Sequence, residues 1–99
     1  MTIIMAKRWH NRTEGNTYHS VGVQVDKKFI GRVDYKYGYG EAYLQTAHSI
    51  LQEAGLFPKT GEHLLSGMDK DFYEFMTHMR KNHDDYFVNV TDVQRKKDL

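Results

Sequence analysis

Six histidines are the side chains of this protein best suited to metal binding or proton transfer. Zinc-binding histidines commonly lie four residues apart on one helix face or in short Cys/His spacings. No such pair exists among His10, His19, His48, His63, His78 and His83. The two that lie nearest in sequence are five residues apart across the predicted end of a helix, which is poor chelating geometry. We therefore predict surface or structural histidines and no metal site.

Two neighbouring polar pairs invite a catalytic interpretation, and neither supports one. Ser20 follows His19, but adjacent residues of a strand point to opposite faces, so they cannot act as nucleophile and base. Asp84 and Asp85 lie at a predicted helix-to-strand turn, where carboxylates are typical of a solvated cap. The chain has no cysteine, which excludes thiol chemistry and disulfides. We predict a non-enzymatic protein without a cofactor.

The stretch YKYGYGEAYLQTAH, residues 35–48, invites comparison with phosphate-binding loops. In a dinucleotide-binding fingerprint that begins at Gly38, the position of the third glycine is Tyr43. No Gly-Lys-Ser/Thr sequence follows, which excludes a P-loop. A small anion at the free amides of the 38–41 turn is an alternative, although Glu41 would compete for the same positive helix end.

Tyrosines and glycines alternate in this stretch, which we interpret as a strand end that turns into a helix. Tyr35, Tyr37 and Tyr39 are predicted to share one strand face. Gly38 and Gly40 are predicted to lie on the opposite side and to permit the sharp turn. Exposed tyrosines anchor partners well because they are large, rather rigid and able to hydrogen-bond. We therefore predict a partner-binding edge formed by Tyr37, Tyr39, Gly38 and Gly40.

Basic residues cluster near both ends of the sequence, although the formal net charge is only +1. Such a balanced charge does not by itself indicate a nucleic-acid-binding protein. The clusters are open to three interpretations: solubilising tails, docking onto an acidic protein, or phosphate contacts beside an aromatic ring that stacks on a base. Under the third interpretation, the nucleic-acid contacts would be Lys7, Arg8, Trp9, Arg12, Arg95, Lys96 and Lys97.

Three segments alternate in polarity with a period of two, which predicts strands near 17–26, 29–37 and 86–93. In the second segment Phe29, Val33, Tyr35 and Tyr37 are predicted to share one face. The short polar gap between the first two segments predicts an antiparallel hairpin. Residues 1–16 show no period and are predicted to form a flexible arm, in which Met5 is an alternative start.

Apolar residues recur with the spacing of an amphipathic helix in two further segments, near 41–54 and 69–82. Gly55 is expected to end the first helix because glycine accepts a positive φ, and Pro58 prevents its continuation. Asp69 is expected to cap the free amides at the start of the second helix.

These elements predict an α+β fold: a three-stranded antiparallel sheet with two helices on one face, in the order ββααβ, as a single domain over residues 17–99. A length of 99 residues with 13% aromatic residues suits one compact core. No apolar run approaches the length of a membrane span, so a cytoplasmic protein without membrane contact is expected. The residues predicted to be buried are Val21, Val23, Val25, Ala47, Ile50, Leu51, Phe72, Phe75, Met76, Val88 and Val90.

The chain resembles a family of small, functionally uncharacterised proteins encoded by tailed bacteriophages. The resemblance covers residues 18–99 and depends on YHSV at 18–21, Gly31, YGYG at 37–40, Tyr43, Thr46-Ala47 and RKKDL at 95–99. It implies an origin in a phage and action in the cytoplasm of a bacterial host.

A second, local resemblance is to the double-stranded RNA-binding domain. VGVQVDKKFIGRV followed by EAYLQTAHSILQEAG is similar to the hairpin and final helix of that domain. That family opens the helix with lysines that grip phosphates, whereas Glu41-Ala42-Tyr43 stand here, and the sequence indicates no third strand before the helix. The resemblance implies a shared ββα architecture without the binding chemistry.

Two hypotheses of function follow from these patterns. The first is a phage accessory protein that binds a host or phage protein, or a second copy of itself, through the face of the sheet that the helices leave open. The alternative is a nucleic-acid-binding module that uses the basic termini and the YKYGYG edge. A small-ligand site at the 38–41 turn is a third possibility.

Overall fold

A four-stranded mixed sheet with two helices on one face forms the fold in the computed structural model, which describes residues 1–99. The elements in chain order are β1 (Thr2–Asn11), β2 (Asn16–Val25), β3 (Lys28–Tyr37), α1 (Ala42–Glu53), α2 (Lys70–Lys81) and β4 (Tyr86–Val93). The strand order is β3-β2-β1-β4. The α+β class and both helices are confirmed, whereas the prediction of three antiparallel strands is wrong in detail.

The predicted flexible arm is strand β1, which lies at the centre of the sheet. It pairs antiparallel with β2 through a turn in which the Asn11 side chain accepts hydrogen bonds from the amides of Thr13, at 3.0 Å, and Glu14, at 3.2 Å. On its other side β1 pairs in parallel with β4. Three strands therefore precede α1, although the sequence indicates only two there, which was one of the differences from the RNA-binding domain.

The two faces of β3 do not follow a simple period of two because two bulges interrupt its pairing with β2. Val33 lies opposite Val21 and packs against the core, whereas Tyr37 lies opposite Tyr18 on the other face. Phe29 is 65% exposed. The prediction that these β3 residues share one face is therefore wrong for Val33, which the two bulges turn to the core side, whereas Phe29, Tyr35 and Tyr37 lie together on the other face.

Helix α1 ends as its sequence predicts. Gly55 has φ +77°, the left-handed conformation that a glycine adopts without a Cβ clash. Its amide donates to the Gln52 carbonyl at 2.9 Å, and the Leu56 amide donates to the Leu51 carbonyl at 3.0 Å. These two bonds form a Schellman motif, which satisfies carbonyls at the end of the helix.

Helix α2 begins at the predicted cap and closes the core. The Asp69 carboxylate accepts hydrogen bonds from the amides of Asp71, at 2.9 Å, and Phe72, at 3.4 Å. Phe75 is fully buried and meets residues of β1, β2 and α1 in one apolar cluster. The members of that cluster are Ile4, Ala6, Val21, Val23, Tyr43, Leu44, Ala47, Ile50, Leu51 and Phe75.

Burial follows the prediction closely in β2 and α1 and less closely in the last strand. Six of the predicted residues belong to the buried cluster: Val21, Val23, Ala47, Ile50, Leu51 and Phe75. Four others are partly buried against it, namely Val25, Phe72, Met76 and Val90. Val88 is 37% exposed, so its predicted burial is wrong; β4 is an edge strand, where the sheet continues on one side only.

Candidate functional site

The face of the sheet turned away from the helices carries a row of aromatic side chains across three strands, which we term the aromatic row: Trp9, Tyr18, Tyr35 and Tyr37. Trp9 pairs with Tyr18 across β1 and β2, and their rings stack with centroids 5.8 Å apart. Tyr18 stacks on Tyr35 at 4.6 Å with an interplanar angle of 12°. Tyr37 meets the edge of Tyr18 at 5.6 Å. The two stacked pairs place the rings of Trp9, Tyr18 and Tyr35 side by side on three adjacent strands.

The C-terminal segment reaches the same row. Lys96 lies in the short 3-10 turn Lys96–Asp98, and its Nζ is 4.8 Å from the centre of the Tyr35 ring. This is the geometry of a cation–π contact. The Tyr35 ring thus contacts both a cation and the stacked Tyr18 ring.

Tyr39 lies beyond the end of β3 and is fixed to the β1–β2 turn. Its hydroxyl is within hydrogen-bond distance of the Gly15 carbonyl, at 2.8 Å, and of the Asn16 side-chain oxygen, at 3.1 Å. Its ring meets the edge of Tyr37 at 5.4 Å. Tyr37 and Tyr39 each remain 53% exposed, so both rings of the predicted partner-binding edge are accessible.

The two glycines of that edge have separate structural roles. A Cβ on Gly38 would lie 2.5 Å from the Cβ of Ala42 and 3.3 Å from Cε1 of His19, so the start of α1 approaches too closely for any side chain. Gly40 has φ +57° and no atom near its missing Cβ. Both glycines therefore shape the strand-to-helix turn, as predicted; neither presents a side chain to a partner.

Apolar side chains extend the same face beyond the aromatic row. Met5, Phe29 and Phe87 are 48%, 65% and 51% exposed, and their positions in the strands place them on the face without helices. We term this whole surface the open face: the aromatic row together with Met5, Phe29 and Phe87. Scattered single apolar residues are normal on a protein surface, whereas several exposed aromatic and apolar side chains on one uncovered sheet face are typical of an interaction site.

The predicted nucleic-acid cluster of β1 is divided between the two faces of the sheet. Lys7 and Trp9 alternate with the buried residues of β1 and lie on the open face. Arg8 lies on the helix side, where its Nε donates to the Asp92 carboxylate at 2.9 Å and its Nη1 to the Gly40 carbonyl at 3.0 Å. Arg12 lies in the turn after β1. The structure thus brings Lys7 and Trp9 together on the open face, where Lys96 reaches Tyr35, and separates Arg8 from them.

A groove of about 470 Å³ lies on the opposite side of the sheet, between α1, the start of α2 and the end of β3. His19 and His48 line it, and each is almost fully buried. His19 Nε2 lies 2.7 Å from Thr46 Oγ1. His48 stacks on Phe75 at 4.8 Å, and its Nε2 has no hydrogen-bond partner.

The surroundings of both imidazoles in this groove disfavour the protonated form. Burial lowers the pKa of His19, and the nearby Lys36 lowers it further. Burial also lowers the pKa of His48, against a smaller opposing effect of Asp69 and Asp71. The pairing of His19 with a threonine hydroxyl has the distance of a base and a nucleophile, but Thr46 is only 4% exposed. We assign the pair to packing, and no three His, Asp or Glu side chains converge as metal ligands.

Sequence reasoning missed several residues that the structure brings together. Trp9 belongs to the aromatic row because β1 pairs with β2 in this register, and Tyr18 belongs to it because the bulged β2–β3 register brings it to Tyr35 and Tyr37. Asp71 is buried, and its carboxylate accepts two hydrogen bonds from the loop before α2. The donors are the Thr60 amide, at 2.7 Å, and the Thr60 hydroxyl, at 2.9 Å. The place of Asp71 in the first turn of a helix gave no sign of this role, because the bonded loop lies ten or more residues earlier in the chain.

No family model, curated protein or solved structure shows a significant match to this chain. Neither helix is long and apolar enough to cross a membrane. The function is therefore inferred from the geometry described above.

Proposed function

We propose that this protein is a non-enzymatic protein-binding module whose binding surface is the open face of its sheet. We further propose that it is an accessory protein of a tailed bacteriophage that acts in the cytoplasm of the bacterial host, in line with the sequence resemblance. The binding proposal is based on the stacked aromatic row and on the exposed Met5, Phe29 and Phe87, which lie on the same face of the sheet.

The stacking within the aromatic row favours a protein over a nucleic acid as partner. A base needs a free ring face on which to stack. Tyr18 stacks with both Trp9 and Tyr35, and Lys96 contacts the Tyr35 ring. Stacking within the row therefore leaves less ring face for a base, and the exposed ring edges suit aliphatic side chains and backbone carbonyls. Aromatic residues that are already ordered also lose little conformational freedom on binding.

Charge around the open face indicates the chemistry of the partner. Lys7 is exposed and has no carboxylate partner within the chain, and Lys96 contacts the Tyr35 ring. Arg32 and Arg95 are each paired with a neighbouring carboxylate, Asp34 and Asp98 respectively. The excess of positive charge therefore fits an acidic protein surface with an apolar centre.

Capture of a partner by matched tyrosine variants tests this proposal. Tyr37 on the open face and Tyr73 on α2 are exposed to a similar extent, 53% and 48%. We expect Tyr37→Ala to lose an acidic partner from nuclease-treated host lysate while its melting temperature stays near that of the wild type. We expect Tyr73→Ala to retain that partner. Retention by Tyr37→Ala would remove the open face as the binding surface.

The same experiment separates the other candidate partners. If capture disappears with nuclease and weakens steeply with salt, the partner is a nucleic acid, because phosphate contacts release counterions. If instead the purified protein dimerises and Tyr37→Ala is monomeric in sedimentation, the partner is a second copy. Either result contradicts binding of an acidic heterologous protein.

A further inference from the structure

A second concave site lies at the opposite surface, where β1, β4 and the turn before α1 meet. It is a cavity of about 380 Å³ that we term the arginine notch. Its basic side chains are Arg8, His10 and Arg12, which follow one another at alternate positions of the chain. Thr17, Gly40, Asp92, Val93 and Gln94 complete the lining. Only one lining residue, Val93, is hydrophobic, which distinguishes the notch from the apolar open face.

Arg8 is held in place by three contacts and still has free donors. Nε binds Asp92, Nη1 binds the Gly40 carbonyl, and the guanidinium carbon lies 5.9 Å from the centre of the Tyr43 ring. Nη2 has no hydrogen-bond partner within the chain. A guanidinium fixed in this way has already lost its rotamer freedom, so a ligand that binds it pays little further entropy.

The other donors of the notch are also positioned by the fold. His10 Nδ1 lies 2.9 Å from Thr17 Oγ1, which leaves the opposite ring nitrogen free of that contact. Arg12 sits in a turn tightened by the Asn11 side chain and forms no ion pair within the chain. Asp92 is the one carboxylate that lines the notch, and one of its oxygens is already engaged by Arg8.

A structural role in joining neighbouring elements accounts for Arg8 but not for the other basic side chains of the arginine notch. The bonds to Asp92 and Gly40 join β4 to the β3–α1 turn and use only Nε and Nη1. Arg12 and His10 take no part in these two hydrogen bonds. Arg8 Nη2, the Arg12 guanidinium and the His10 imidazole around a polar cavity match a tetrahedral oxyanion, because guanidinium donors form strong charge-assisted hydrogen bonds to phosphate oxygens.

We propose that the arginine notch binds a terminal phosphate group, with Arg8 and Arg12 as its two guanidinium ligands. The cavity is larger than a phosphate, so the remaining space accommodates the group that carries it. The ligand is free phosphate, a nucleotide or a 5′-phosphorylated oligonucleotide, and in the last two cases the nucleoside occupies the remaining space. The site is independent of the open face, so failure of either proposal leaves the other standing.

Titration calorimetry with the full chain tests the notch directly. The probes are inorganic phosphate, adenosine 5′-monophosphate, adenosine, and one short oligonucleotide with and without a 5′-phosphate. We expect inorganic phosphate and adenosine 5′-monophosphate to bind and adenosine to give no heat. A stronger signal for the phosphorylated than for the unphosphorylated oligonucleotide identifies nucleic-acid ends as a source, whereas equal affinity for inorganic phosphate and the nucleotide identifies the free anion as sufficient.

Variants assign the binding to named residues. Arg12→Gln removes an unpaired, exposed guanidinium, so the protein is expected to fold and to lose about tenfold or more in phosphate affinity. Arg80→Gln on α2 makes the same change of charge at an exposed position and is expected to bind as the wild type does. Equal affinity of Arg12→Gln and wild type, or absence of any heat with inorganic phosphate and the nucleotide at millimolar concentration, overturns the proposal.

Discussion

The two buried histidines make the fold sensitive to mild acid. His19 is 1% exposed and His48 is 2% exposed, and burial holds the pKa of each below its ordinary value of 6.5. The unfolded chain therefore takes up protons at a pH where the folded chain does not. The stability that these groups contribute is fully present above the unfolded pKa and declines as the pH falls below it.

The size of the effect follows from proton linkage. Between about pH 7.5 and about pH 5.5, a histidine that stays neutral in the folded state costs about 1.4 kcal/mol of unfolding free energy. Two such groups cost at most about 2.7 kcal/mol, a large part of the stability of a small domain. The loss ceases once the pH reaches the folded pKa values.

Urea unfolding at a series of pH values measures this dependence. We expect His48→Leu to remove about half of the decline over this range, since leucine keeps the apolar contact with Phe75 and cannot ionise. It also removes the unpartnered Nε2 atom from the core, so its stability at neutral pH is expected to equal or exceed that of the wild type. His63→Gln, at an exposed loop position, is the control. If His63→Gln flattens the curve as much as His48→Leu does, burial is not the cause.

Substitutions at three positions test the fold itself by chemical or thermal unfolding. Gly55→Ala is expected to cost about 1 kcal/mol because of its positive φ, and Gly55→Asn less; equal melting of both with wild type would refute the cap. Gly38→Ala is expected to destabilise by about 1–3 kcal/mol, since its Cβ would meet Ala42 at 2.5 Å, and a neutral result would mean that the turn relaxes freely. Ile4→Ala is expected to cost about 2–5 kcal/mol because Ile4 is fully buried in β1, whereas a flexible arm would tolerate it without loss.

The helices could be predicted because their signals are local. The period of the apolar residues, the cap at Asp69 and the glycine at position 55 each act within one or two helical turns. Burial of the β2 and α1 residues followed from the same periodicity, since each segment has one apolar face.

Strand β1 could not be predicted because both of its faces are apolar over its first half. Ile4 and Ala6 face the core, while Ile3 and Met5 face the other side, so no alternation marks the strand. Its parallel pairing with β4 joins distant parts of the sequence, and no short-range pattern indicates such a contact.

Strand pairing also explains why the sequence predicts only part of the candidate site. Tyr37 and Tyr39 could be identified from their own segment, but the place of Trp9 depends on the β1–β2 register and that of Tyr18 on the bulged β2–β3 register. Lys7 and Arg8 look like one basic cluster in the sequence, and only the alternation of a strand assigns them to opposite faces.

The central position of β1 has a consequence for how the chain reaches its native state. The contact between Arg8 and Asp92 spans 84 residues, and all of the β1–β4 pairing is of this long-range kind. Topologies dominated by distant pairs fold slowly, because a large loop must close before its contacts form. During synthesis, the β1–β2–β3 meander emerges first and exposes one strand edge of β1 until residues 86–93 have left the ribosome. An unpaired edge with Ile3, Ile4 and Met5 is a template for association with other chains, so the interval before β4 docks is the period in which this protein is most prone to aggregate.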